Sequence, residues 1–349
     1  KNIYINRFKK TEDYNQGIFI YIKNIKTQNI LSSAYDDSKE NQYKITYSPD
    51  KIEQEITSEN IKTKIEIIVA PNEPAEIRKI TIENLGITDE ILEVTTEFEP
   101  IISRKEQDYA HPVFNNLFLT FEWNEETGGL IIKRKNREPE EKEIYLLANL
   151  STNGETIGEL EYEIDKEKFL GRGNINTPQM IKNSIPFSKK IGLVTEPISA
   201  LKRTVKIKAG EKIVMNFVLS ISEDKEEAIE NIKKYKIEES IEKAFELSKA
   251  QVEANSRYLR IKGREIKEYQ KMLSYIIFSN PAKKQNLEKL PKRNYRQNDL
   301  WKYGISGDLP LILLKIKDLN DMEMVKEVLK AYEFIRTKKI DVELVIMDE

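Results

Sequence analysis

A chain of 349 residues can bury a full core and has room for more than one folding unit. Its 57 Lys and Arg against 59 Asp and Glu leave a formal net charge of -2, so no overall field draws in nucleic acid or an anionic membrane. The absence of cysteine rules out disulfides, thiolate metal sites and a thiol nucleophile, one histidine cannot build a His-based metal site, and no window reaches the roughly 20 apolar residues of a membrane helix.

From Ile18 to Ile221 the sequence is a succession of short β-type runs parted by turn residues. Ile18-Phe-Ile-Tyr-Ile22 leads into the turn region Asn24 to Asn29, and Tyr43-Lys-Ile-Thr-Tyr47 alternates apolar with polar as a half-buried strand does. Ile65 to Val69 stops at Pro71, Ile77 to Ile82 stops at Asn84-Leu-Gly86, and Ile91 to Phe98 stops at Pro100, each at a breaker. Leu117 to Trp123, Leu130 to Ile132, Ile144 to Leu147, Val205 to Ile207 and Ile213 to Ile221 continue the series. About ten strands in one block predict a mainly β chain, a large antiparallel β-sandwich over residues 1–222.

At Ser222-Glu-Asp224 a serine and two acids mark a helix start, after which apolar residues recur at Ala228, Ile229, Ile232 and Tyr235. Two further helical patterns, Glu238 to Leu259 and Ile266 to Phe278, complete a helical linker over 223–280. Asn280-Pro281 ends it, and Lys283, Lys284, Lys289, Lys292, Arg293 and Arg296 make the next connection basic. Surrounding acids and few aromatics favour a solvated loop there over a nucleic-acid patch. Residues 281–349 then read strand, helix, strand: Leu311 to Ile316, Met322 to Arg336, Val342 to Met347. This is a βαβ pattern whose strands should lie parallel, and two strands are too few for an independent α/β domain. Strand-like residues at Ile3 to Ile5 and Val342 to Met347 sit against the two ends, which read as cut from a longer protein.

The candidate chemistry is sparse. Leu300-Trp-Lys-Tyr-Gly-Ile-Ser-Gly-Asp-Leu-Pro310 puts an aromatic pair, two glycines and an acid ahead of an apolar strand. Trp301 and Tyr303 could stack on sugar faces and Asp308 accept from hydroxyls, or the loop could be a turn feeding a buried strand. It precedes a strand and lacks a suitably placed lysine, so a nucleotide cradle is disfavoured. His111 lies in Asp108-Tyr-Ala-His-Pro-Val-Phe-Asn-Asn116, where Asp108 could orient it, yet no nucleophile stands beside it and a hydrogen-bonding role is favoured over catalysis. Phe169-Leu-Gly-Arg-Gly173 sets Arg172 between glycines, as an anion or hydroxyl-rich ligand would need. Glu97, Glu99, Asp108 and Asp308 could supply an acid/base pair, but sequence does not choose among 59 acids.

Five segments, in order, carry a resemblance: Asp108 to Phe118, Phe169 to Gly173, Thr195-Glu-Pro-Ile-Ser-Ala-Leu-Lys-Arg203, Leu300 to Pro310, and Ala331-Tyr-Glu-Phe-Ile-Arg336 leading to Val342-Glu-Leu-Val-Ile-Met347. On these the chain resembles the family uniting cyclic β-1,2-glucan synthases and 1,2-β-oligoglucan phosphorylases, related to glycoside hydrolase family 94. The resemblance implies a supersandwich ahead of a helical catalytic barrel. It also implies a parent enzyme in which inorganic phosphate attacks the anomeric carbon while a carboxylic acid protonates the leaving oxygen. Nothing after Ile316 has the length for that barrel, so no catalytic residue is expected here. The implied partners are a β-glucan oligosaccharide and the other domains of the parent, with a homodimer as a further option and no nucleic acid. No metal or cofactor is expected beyond phosphate as co-substrate of the parent. The segment itself is expected to be soluble and cytoplasmic, in a parent either soluble or tethered to the inner membrane. A purely structural or oligomerisation module is the alternative.

Overall fold

A computed structural model describes residues 3–7, 16–34, 42–136, 141–278 and 296–348. They fall into two compact units, divided between residues 249 and 250. The basic connection from Lys283 to Arg293 lies outside the described residues.

The first unit is built on two antiparallel sheets. One has eight strands in the order β10 (Leu119–Asn124), β11 (Gly129–Arg134), β12 (Tyr145–Thr152), β15 (Lys212–Ser222), β7 (Ala75–Asn84), β6 (Ile61–Val69), β5 (Ile52–Ser58) and β4 (Gln42–Tyr47). The other has five: β13 (Glu155–Asp165), β14 (Pro197–Ile207), β8 (Glu90–Phe98), β2 (Ile18–Asn24) and β3 (Ile30–Ser32). Short β1 (Tyr4–Asn6) pairs with β9 (Pro100–Ser103).

Alternation sends every second side chain into the space between the sheets. Ile20, Ile22, Leu92, Val94, Phe98, Leu201 and Val205 from the smaller sheet meet Ile65, Ile80, Ile82, Ile132, Leu146, Met215 and Phe217 from the larger. Phe98 and Phe217 cross that interface with ring centroids 6.3 Å apart.

Neither sheet leaves its outer face wholly to water. α5 (Lys225–Lys234) and the first turns of α6 (Glu238–Leu259) lay Ala228, Ile229, Ile232, Tyr235, Ile241 and Ala244 against Ile77, Ile131, Leu147 and Val218 of the large sheet. The helical segment predicted after the sandwich therefore begins by packing on it. Asp224 caps α5 as its sequence position predicts, its Oδ1 accepting from the Glu226 N–H at 2.8 Å. On the small sheet, α3 (Lys166–Leu170), α4 (Gln179–Lys182) and the strap running to residue 190 cover Phe19, Tyr21, Ile198 and Ala200 with Phe169, Ile175, Met180, Ile181 and Phe187. Covered on both sides, β2 is buried at every position, including Lys23, whose Nζ donates to Lys182 O and Ser184 Oγ, both at 2.8 Å. Buried charge is tolerated there because two of the three ammonium protons have close acceptors.

In the second unit, α7 (Gly263–Ile277) packs on α9 (Met322–Thr337) through Tyr269 and Phe334, with centroids 5.8 Å apart and Ile261 and Ala331 beside them. A short α8 (Asn298–Trp301) precedes β16 (Leu311–Ile316), and α9 crosses to β17 (Glu343–Asp348). The two strands are parallel, in register from Leu311 opposite Glu343 to Ile316 opposite Asp348. Among the described residues no helix is long and apolar enough to cross a membrane.

Candidate functional site

The segment from Gln297 to Pro310 is a loop closed by its own hydrogen bonds. Gly304 and Gly307 have φ of +73° and +75°, and a Cβ on Gly307 would stand 2.8 Å from Gln297 Cγ, so both turns need glycine. Trp301 Nε1 donates to the Ser306 carbonyl at 3.2 Å. Gln297 Nε2 donates to the same carbonyl at 3.0 Å and to Asp308 Oδ1 at 2.8 Å. Ser306 Oγ donates to Glu343 Oε1 at 3.0 Å, which ties the loop to the start of β17. The loop thus links Trp301 and Asp308 through the Ser306 carbonyl and Gln297 and carries Tyr303 between them in sequence, with the two rings 64% and 70% exposed. A pinned, solvent-facing indole on the same loop as a carboxylate is a surface on which the apolar face of a pyranose can stack while a hydroxyl bonds the acid.

The other two candidates belong to the first unit. His111 is exposed at the junction of α1 (Lys105–Ala110) and α2 (Pro112–Asn116). The pairing with Asp108 that sequence leaves open is not formed. Both Asp108 oxygens are taken by the Arg7 guanidinium, at 2.9 and 3.1 Å, and Asn115 Nδ2 also donates to Oδ1. At Arg172 the flanking glycines serve packing: a Cβ on Gly171 would lie 2.0 Å from Gln179 Oε1, and one on Gly173 2.4 Å from the Thr177 carbonyl. The Arg172 side chain is exposed, while its backbone N–H donates to Gln179 Oε1 at 2.9 Å.

One polar cluster was not legible as such. Arg7 bridges Asp108 and Glu99, with its Nη1 2.8 Å from Glu99 Oε2, and Lys166 also pairs with Glu99. Two residues back on β8, Glu97 is 2% exposed and its Oε2 has no hydrogen-bond partner among the described residues. Burial, reinforced by the charge of Glu99 and opposed by Lys166, pushes the Glu97 carboxyl up to about 8. A neutral acid near a carboxylate would suit glycosyl chemistry. The crevice beside it, bounded by Arg7, Gln16, Gly17, Phe19 and Glu99, is too narrow for a water molecule, so a sugar ring does not reach the pair. Glu97 is a buried structural acid.

The sequence pattern of the glycosyl hydrolase 94 supersandwich domain matches residues 2–238, the sandwich with its α3–α4 strap and α5. The chain belongs to that family. Beyond the supersandwich, it aligns over 336 residues at 26% identity with the cyclic β-(1,2)-glucan synthase NdvB of Rhizobium meliloti strain 1021. That alignment takes in 95% of this chain and 12% of the synthase, so the supersandwich chain spans about an eighth of that relative's length. Among solved structures, a bacterial glucoamylase complexed with acarbose is similar with a TM-score of 0.40 and 10% identity, over 75% of this chain and 35% of the other. A putative kojibiose phosphorylase from human microbiome gives 0.38 and 12%, over 66% and 27%.

Proposed function

We propose that this glycosyl hydrolase 94 supersandwich chain serves an enzyme that builds or phosphorolyses β-1,2-linked glucan, and that its own part is to hold glucan or brace other domains. The observation that carries this reading is the alignment of 95% of the chain with a cyclic β-(1,2)-glucan synthase. It covers the Leu300 to Pro310 loop as well as the sandwich. In this reading Trp301 and Tyr303 are the stacking surface and Asp308 orients a hydroxyl. Bond-breaking chemistry, with phosphate as co-substrate of the parent, belongs to other residues, because the one acid held neutral among the described residues lies beyond the reach of a sugar.

Migration of the chain through native gels cast with β-1,2-glucan tests the holding role. Retardation that Trp301→Ala abolishes, at an unchanged melting temperature, supports it. A second reading, scaffold alone, draws on the loop's internal bonds, since the indole N–H and one Asp308 oxygen are already engaged. Free migration in every glucan gel, with Trp301→Ala lowering the melting temperature, would favour that reading.

A further inference from the structure

Two polar side chains outside the turn from Trp301 to Pro310 hold it in shape, and neither serves its own element. Glu343 opens β17 opposite Leu311 of β16, on the strand face it shares with Val345 and Met347. The acid is poorly provided for there, since its Oε2 is buried with no hydrogen-bond partner among the described residues, which costs free energy. What it holds is Ser306. Glu343 Oε1 accepts from the Ser306 N–H at 3.3 Å and from the Ser306 hydroxyl at 3.0 Å, and that hydroxyl accepts from the Asp308 N–H at 3.1 Å. A relay thus runs from β17 to the backbone of Asp308.

Gln297 acts from the other side. It stands at the start of α8, yet its side chain makes no capping bond to that helix. Its Nε2 instead spans the Ser306 carbonyl and Asp308 Oδ1, and its stem passes so close to Gly307 that any Cβ there would displace it. The Ser306 carbonyl also takes the Trp301 indole N–H. Ser306 is therefore the joint of the loop: its carbonyl sets the indole edge and its hydroxyl sets Asp308. Among the described residues Asp308 Oδ2 has no hydrogen bond, and the indole is mostly exposed. Hydrogen bonds at such exposed positions add little to fold stability, because water competes for each group. Converging on one residue, they remove freedom from Trp301 and Asp308 before a ligand arrives.

We propose that Gln297, Ser306 and Glu343 are positioning residues, which set the Trp301 indole and Asp308 for a β-1,2-glucan without touching it. The proposal rests on the reading of this loop as the glucan holder. Titration of the whole chain with β-1,2-glucooligosaccharides, with the indole N–H signals followed by nuclear magnetic resonance, tests it. The chain has two tryptophans, and the signal that Trp301→Ala removes is the loop's. Gln297→Ala and Glu343→Ala should each weaken binding about tenfold without a matching loss of melting temperature. Both should also speed exchange of the Trp301 indole proton with water, while the Trp123 signal stays in place. Glu343→Gln, which keeps an oxygen for Ser306, should recover most of the affinity that Glu343→Ala loses. A wild type that binds no glucan would overturn the holding role and this proposal together. Wild-type affinity in both alanine variants, or a Trp301 signal indifferent to them, would overturn the positioning alone and leave the holding role standing.

Discussion

Replacing Glu97 by Gln should make the protein more stable, and increasingly so as pH rises. The folded chain holds this carboxyl at about 8 against 4.5 for a freely exposed glutamate, chiefly by burial. The sign follows from the neutral form being the one the fold accepts. Stability is fully present below pH 4.5, declines as pH rises beyond it, and has lost its full increment once pH passes about 8. With about 1.4 kcal/mol for each tenfold change in proton affinity, the interval from 4.5 to about 8 amounts to about 5 kcal/mol at most. Glutamine keeps the shape without the titration. Denaturant unfolding of both proteins below pH 4.5 and above pH 8 should give nearly equal stabilities at the acid end, with the variant ahead by several kcal/mol at the alkaline end. A stability difference that does not change with pH would refute the reasoning, because it would mean that Glu97 does not take up its proton on folding.

Arg7→Ala should cost on the order of 3 kcal/mol, since it leaves Glu99 only Lys166 and Asp108 only the Asn115 amide in a largely buried site, and a thermal melt reads the loss. Tyr21→Phe removes the hydroxyl that donates to the Ile175 carbonyl at 2.6 Å, and should lower unfolding free energy by about 1–3 kcal/mol while loosening the strap in hydrogen exchange. Incubated with β-1,2-glucan and phosphate, the chain should release no glucose 1-phosphate; clear turnover would contradict the assignment of bond breaking to other residues.

Much of the sandwich was legible because its strands alternate or end at breakers. β7, from Ala75 to Asn84, shows its buried and half-buried positions in turn, and Pro71 and Pro100 stand where β6 and β8 finish. β13 was not, for Glu155 to Glu159 are exposed on an edge strand that carries Gly158, so no apolar period appears. β14 was read from Val205 onward, although it begins at Pro197. Its earlier residues include Lys202, a buried cation paired with Glu161 at 3.1 Å, which a hydropathy pattern counts as surface. Glu97 was obscure for a related reason: Glu93, Thr95 and Glu97 alternate like a solvent face, and the strap that covers them has no period to announce it. The loop from Leu300 to Pro310 was the most readable part of the site, because its two left-handed glycines and its aromatic pair are conspicuous in sequence. The pinning bonds from Gln297 and to Glu343 were not, the latter partner lying 37 residues away in the chain.

Calorimetric titration of the chain with β-1,2-glucooligosaccharides, set against cellooligosaccharides of matched length, tests the central claim most directly. Selective heat should appear with the β-1,2-linked series and disappear in Trp301→Ala and Asp308→Ala. Equal heats for the two series, or binding that survives both substitutions, would contradict it.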